Sequence, residues 1–231
     1  MPMPCLMASV GLSIFAKYIP GKLFVILGKA SYMNKKYGYS NLQLITQSTN
    51  DQLIALWTGL LIGCLSLFFV ELNPVWLVLI GGGWLLITLT VFTTIFHKLA
   101  IKTIKLILNK EVQIPRLEFR SVIRLLPVHF IYWIILSAGF YFLGRSMLDL
   151  ELPIHTGLIF PLATTLGLMA IIAPGGLGIR ESIIGLFLSA QGITTTDVIA
   201  LAALSRLWFL TGEFSIFFAS LLITKLKGKT P

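Results

Sequence analysis

The feature that most limits how this chain can fold is a set of apolar runs about as long as a membrane is thick. Gln52–Val70 reads QLIALWTGLLIGCLSLFFV, and Pro74–Phe96 is apolar throughout. Ile123–Leu143 has only Arg124 and His129 near its start, and Val198–Thr224 is apolar apart from Arg206 and Glu213. A helix that crosses the hydrocarbon core needs roughly 20 mainly apolar residues. Lipid offers no water to satisfy backbone groups, so such runs are expected as helices. Composition agrees: charged residues are 12% of the chain, about half the share in a soluble domain, and mean hydropathy is +0.90. The expected fold class is all-α, a polytopic membrane helical bundle. No polar stretch is long enough for a separate soluble domain, so residues 1–231 read as one integral membrane domain.

The net charge of +9 would suit nucleic acid in another context. Here the lysines lie between apolar spans, so positive loops that orient the chain are the simpler reading, and no nucleic-acid partner is expected. Cys5 and Cys64 lie in separate apolar segments without a CxxC spacing, so no functional disulfide is expected. His97, His129 and His155 are far apart in sequence, and no metal site or other cofactor is expected. No Ser/His/Asp or Cys/His arrangement stands out, so the chain is not read as an enzyme. The opening MPMPCLMASV lacks a basic region and a clear cleavage site, and is not read as a signal peptide.

An internal repeat runs at an offset of 154 residues. Pro20-Gly21 aligns with Pro174-Gly175, Leu23 with Leu177, and Gly38 with Gly192. Residues 11–62 and 165–216 share 10 identities in 52 without gaps. The shared layout matters more than the count: apolar half-segment, Pro-Gly break, second half-segment, glycine turn, long apolar helix. Half-segments such as Leu6–Ile19 and Ile179–Gln191 are too short to span about 30 Å of hydrocarbon at 1.5 Å per residue. Proline removes a backbone donor and glycine allows a sharp turn, so each unit is expected as a re-entrant helix hairpin. Repeat 1 covers about 6–70, linking spans 74–145, and repeat 2 about 157–224.

Counting crossings places the two repeats in inverted orientation. One side of the membrane then holds Lys29, Lys35, Lys36, Lys98, Lys102, Lys105, Lys110, Arg116, Arg120, Arg124, Lys225, Lys227 and Lys229 against Glu111 and Glu118. The other holds Arg145 against Glu71, Asp149, Glu151 and Asp197. Positive loops face the cytoplasm, so the C-terminus is expected inside. Inverted repeats with broken helices meeting near mid-membrane are a recurrent transporter plan. The second half-helix of each pair starts just after Pro-Gly, so its positive end points at the membrane interior and could take an anionic group.

The candidate site follows from the charges inside the spans. APGGLGIRES (173–182) exposes backbone at Gly175, Gly176 and Gly178, and Arg180 and Glu181 follow in the first turn of the returning half-helix. A charge within a span costs roughly 3 kcal/mol on insertion scales and is usually functional or paired. The alternative is a structural Arg–Glu pair that pins the hairpin. Arg206 and Glu213 are about two turns apart and share a helix face, with cross-pairs Arg180–Glu213 or Glu181–Arg206 expected. The alternative for Arg206 is a local carbonyl. In repeat 1 the matching segment is YIPGKLFVILGK, where Pro20 and Gly21 form the break and Lys22 is read as a phosphate contact, with snorkelling to the interface as the alternative. Lys17 is read as snorkelling to the interface. HKLAIKTIKLILNK (97–110) is an interfacial helix for anionic lipid or a plain solvated helix. Gly81, Gly82 and Gly83 are expected to permit close helix packing. Asp149, Glu151 and His155 are read as a solvated outer loop.

PGGLGIRES, the spacer to QGI and the helix with LSRLWF resemble the C-terminal signature of the lysylphosphatidylglycerol synthase transmembrane region family. The YIPGK segment, GYS turn and long helix are similar to its first half. The resemblance covers roughly residues 10 to 224, and its motif positions fall on Pro20, Gly21, Pro174, Gly175, Gly176, Gly178, Arg180, Glu181 and Arg206. It implies the flippase half of the multiple peptide resistance factor: a multi-pass inner-membrane domain that moves an anionic, aminoacylated or glycosylated lipid. A membrane-bound subunit or enzyme of lipid-linked glycan or cell-envelope synthesis is the alternative. Implied partners are the phospholipid or glycolipid substrate, anionic membrane lipids, and a second copy or an envelope-synthesis enzyme. Members usually carry further spans before the first Pro-Gly, where this chain has 19 residues, so it reads as a short or truncated member. No acyltransferase domain follows, so synthesis of lysyl-lipid is not implied.

Overall fold

A computed structural model describes residues 3–15, 28, 31, 33, 34, 38, 41–70, 73–93, 98, 119–147, 152–170 and 173–227. These form seven α-helices: α1 (Met3–Leu12), α2 (Asn41–Ser66), α3 (Pro74–Phe92), α4 (Phe119–Met147), α5 (Ile159–Met169), α6 (Ile179–Ala190) and α7 (Thr195–Lys227). No strand occurs among the described residues. Gln47–Phe69, Val122–Met147 and Thr195–Lys225 are long and apolar enough to cross a membrane. Large side chains such as Val78, Leu86, Ile135, Phe142, Ile199 and Leu222 stand exposed along α3, α4 and α7. That much outward apolar surface suits lipid and not water. The chain is a membrane protein built as a helical bundle.

Local chemistry sets several helix ends. Asn73 caps α3, its side chain accepting from the Val75 N–H at 3.0 Å, with Pro74 in the first turn where its missing donor costs nothing. Gly38 and Gly192 have φ of 69° and 79°, in the left-handed region that favours glycine. They mark the turns into α2 and α7 that the sequence repeat places there.

Side-chain contacts fix the helix directions. Trp133 of α4 donates its indole N–H to the Ala55 carbonyl of α2, and His129 lies against Asp51 one turn earlier on both helices, so α2 and α4 run parallel. Gly139 of α4 packs on Trp208, and Tyr132 lies in reach of Glu213, so α7 runs antiparallel to α4. Gly11 of α1 packs on Ser220 and Phe15 on Phe214, so α1 runs antiparallel along α7. Gly59 and Gly63 of α2 meet Thr165 and Leu162 of α5, again antiparallel.

The core forms around α5 and α6. Ile159, Phe160, Leu162, Ala163, Ile184 and Phe187 are fully enclosed, with Phe140 and Leu201 from the flanking helices. The pair α5–α6 is an antiparallel hairpin: Thr156, just before α5, donates its hydroxyl to the Gln191 side-chain oxygen just after α6 at 3.1 Å. Among the described residues the close helix contact expected at Gly81, Gly82 and Gly83 is not seen, since a Cβ on any of them would meet no described atom within 4 Å. The close approach belongs to Gly59 and Gly63, whose added Cβ atoms would fall within van der Waals radii of α5. An i,i+4 glycine pair lets two backbones meet.

Candidate functional site

The chain between α5 and α6 is broken where the sequence places its Pro-Gly-Gly. Pro174–Gly176 makes a single 3-10 turn, and Gly175, Gly176 and Gly178 have φ of 60°, 73° and 82°. Gly176 lies directly on Gly167 near the end of α5: a Cβ on Gly176 would come within 2.9 Å of the Gly167 backbone. The hairpin closes here because Gly176 carries no side chain, and a Cβ on Gly167 would itself meet Arg180 and Gly176 at 3.3–3.5 Å.

Glu181 tightens the start of α6. Its carboxylate accepts the Gly178 N–H at 2.8 Å, the glutamate half of a capping box. The other carboxylate oxygen faces Arg206 of α7 at 3.7 Å. The same Arg206 nitrogen donates to the Gly175 carbonyl at 3.1 Å. The sequence offers Arg206 either an acidic partner or a carbonyl, and the structure gives it both, on the break of the neighbouring hairpin. Arg206 thus ties α7 to the turn and to the cap together.

Arg180, 3% exposed, points the other way into the bundle. It donates to the Ser205 carbonyl at 3.3 Å. Its guanidinium lies over the rings of Phe160 (4.4 Å to the centroid) and Phe209 (4.8 Å). A desolvated cation on two aromatic faces gains by the ring quadrupoles, about 2 kcal/mol where water is excluded. Glu213, 4% exposed, stands two turns after Arg206 on α7. Tyr132 of α4 is within electrostatic reach of both Glu213 and Arg180.

The cluster is therefore Gly175, Gly176, Gly178, Arg180, Glu181, Arg206, Glu213 and Tyr132, drawn from α4, α6, α7 and the break. Its depth follows from helix position. Tyr132 lies near the middle of α4 (Phe119–Met147), and Glu213 lies just past the middle of α7 (Thr195–Lys227). Pro20, Gly21 and Lys22 lie outside the described residues, as do Lys17, Asp149, Glu151 and the basic segment 97–110 apart from Lys98. Phe15, the last described residue before the first Pro-Gly, packs on Phe214 and Phe217 beside Glu213. Among the described residues no group of three His, Cys, Asp or Glu could hold a metal ion.

Sequence reasoning missed the aromatic walls around Arg180. Part of the signal was available: Ser205, Arg206 and Phe209 share a face of α7 at spacings of three and four residues. Phe160 is on another hairpin arm and carries no such signal.

An all-helical bundle with long apolar helices and a charged, glycine-broken helix hairpin defines a polytopic membrane protein. Within that class, this chain belongs to the lysylphosphatidylglycerol synthase transmembrane region family, whose profile matches residues 3–211. No curated protein and no solved structure matches the chain.

Proposed function

We propose that the protein is a lipid translocase of the cell inner membrane that moves an anionic, aminoacylated or glycosylated lipid past the broken hairpin. The observation that carries this is the placement of Arg206 on a backbone break inside the bundle. Arg206 is held there by a carbonyl and a carboxylate oxygen, and its neighbour is the positive end of α6. Together they offer a phosphate-sized anion both charge and backbone donors. The glycines let a headgroup approach the backbone closely.

The helix directions support inverted repeats with re-entrant hairpins. α2 and α7 are matching helices in the two repeats and run antiparallel. The first half-helix of each repeat packs on the long helix of the other: α1 along α7, and α5 along α2. Ser13 lies beside Gly28, two residues that flank the first Pro-Gly in sequence, and Gly167 lies beside Arg180, two that flank the second. Such a pseudo-twofold frame lets one half rock against the other around a central site. The excess of Lys and Arg on one side supports a cytoplasmic C-terminus. The chain acts without catalysing a covalent step, on phospholipid or glycolipid, alone, as a homo-oligomer or beside an envelope-synthesis enzyme.

The test is reconstitution in liposomes with fluorescent phosphatidylglycerol and a fluorescent glycolipid. Wild type should move at least one between leaflets, and Arg206→Gln should slow that movement tenfold or more, since a lost charged contact is worth about 1.5–3 kcal/mol. Movement unchanged in a folded Arg206→Gln variant would remove Arg206 from the path. No movement of either lipid by wild type would turn attention to the envelope-synthesis reading.

A further inference from the structure

Away from the hairpin break, a second pair of ionisable groups lies between two helices of the bundle. His129 is buried in the span Val122–Met147, and its Nε2 faces Asp51 Oδ1 of the span Gln47–Phe69 at 3.4 Å. Its Nδ1 lies 3.0 Å from the Leu125 carbonyl of its own helix. A carbonyl only accepts, so Nδ1 must carry a hydrogen. In neutral imidazole the other nitrogen is then bare. A bare Nε2 opposite a carboxylate oxygen would set two lone pairs against each other. A proton on Nε2, as imidazolium beside carboxylate, removes that opposition. With that proton the pair is neutral.

The helices packed around this pair bring few other charges to it among the described residues. α3 and α5 carry no ionisable side chain. On α4 the other charges are Arg120, Arg124 and Arg145, and Arg124 is exposed. On α7, Glu213 reaches Tyr132, one turn past His129, together with Arg180 of α6. His155 is stacked on Phe69 at the far end of α2. Among the described residues, Asp51 is the charged group that acts on the His129 ring. The Asp51 side chain is 51% exposed near the start of the span Gln47–Phe69, so the pair lies at the surface of the bundle.

The pair also sits on the helix face that leads to the break. Asp51, Ala55, Gly59 and Gly63 follow at four-residue spacing along α2. Ala55 takes the Trp133 hydrogen bond, Gly59 meets Trp133 and Thr165, and Gly63 meets Leu162. α2, which carries Asp51, is also the helix on which the α5 arm of the broken hairpin rests.

We propose that His129 and Asp51 form a proton-binding site between α2 and α4, and that one proton bound and released there couples lipid movement to a proton gradient. The coupling rests on the translocation reading above, whereas the proton site does not. Histidine is the side chain whose ordinary titration falls nearest neutral pH, which suits such a cycle.

Two readouts separate the claims. The chain has three histidines, so ¹⁵N-histidine NMR of the protein in phosphatidylethanolamine–phosphatidylglycerol bilayers resolves the ring, with His129→Gln giving the assignment. Wild type should show hydrogen on both ring nitrogens at neutral pH, and Asp51→Asn should show a bare Nε2. A bare Nε2 in wild type overturns the site. The second readout is fluorescent phosphatidylglycerol movement in proteoliposomes under pH gradients of either sign. Wild-type rates should differ with the sign of the gradient, and Asp51→Asn and His129→Gln should lose that difference. Wild-type movement that ignores the gradient overturns the coupling and leaves translocation standing. No lipid movement, with a proton held at Nε2, overturns translocation and its coupling and supports the proton site alone.

Discussion

Gly176 and Gly178 separate two reasons why a turn demands glycine. Both have φ in the left-handed region, where a Cβ costs roughly 1–2 kcal/mol. Only Gly176 also faces backbone, its Cβ position lying 2.9 Å from Gly167, whereas a Cβ on Gly178 meets open space. Forcing an extra methyl into a packed site adds about 1–3 kcal/mol. Gly178→Ala should therefore lower stability by about 1 kcal/mol and Gly176→Ala by roughly 3 kcal/mol, read as thermal unfolding in detergent. Equal losses would mean that the glycine-on-glycine contact does not hold the hairpin closed. Arg180 and Arg206 divide in the same way. Arg180 is enclosed by Phe160 and Phe209 and secures the fold, whereas Arg206 grips the break and is the better candidate to meet a headgroup.

At the scale of elements, the bundle depends on where small residues let helices touch. A Cβ on Gly63 would lie 2.6–2.8 Å from the Leu162 side chain and backbone, whereas one on Gly82 would meet nothing described. Gly63→Leu should push α2 off α5 and cost several kcal/mol, roughly 3 or more by overpacking, while Gly82→Leu should change stability by less than about 0.5 kcal/mol. Comparable unfolding temperatures for the two variants would refute the α2–α5 contact. This pair also shows what the sequence carried and what it did not. The long helices were legible because lipid demands length and apolarity, and the Pro-Gly break because its residues change the backbone locally. The Glu181–Arg206 pairing was legible as one of two choices, since charges inside spans must find partners. Which glycines touch was not legible, because a run such as Gly81–Gly83 says nothing of what faces it. Asp51 and His129 are distant in sequence, with all of α3 between them, and only the parallel pairing of α2 and α4 brings them together.

For the whole molecule, the question is whether the α5–α6 hairpin turns back within the membrane or crosses it. The sides of the flanking loops are the same either way, so the depth of the break decides. Thr156 and Gln191 join the two arms at one end, and α5 and α6 are 11 and 12 residues long. With the 3-10 turn Ile154–Leu158 that leads into α5, the first arm runs Ile154–Met169, so at 1.5 Å per residue the two arms are roughly 24 and 18 Å, each short of a 30 Å hydrocarbon core. The break also lies level with Arg206, about a third of the way along α7, which puts it well inside that long helix. Leu177 is exposed at the tip of the break and can carry a spin label without displacing the core. With labels at Leu177, Gln191 and Lys225, collision with apolar oxygen against a water-soluble nickel complex reports depth. The Leu177 label should read near mid-membrane or in a narrow wet cavity, and those at Gln191 and Lys225 at opposite interfaces. A Leu177 label as accessible to the nickel complex as one at Lys225, and from the same side, would mean that the hairpin crosses fully. The central site, and the inverted arrangement built around it, would then have to be abandoned.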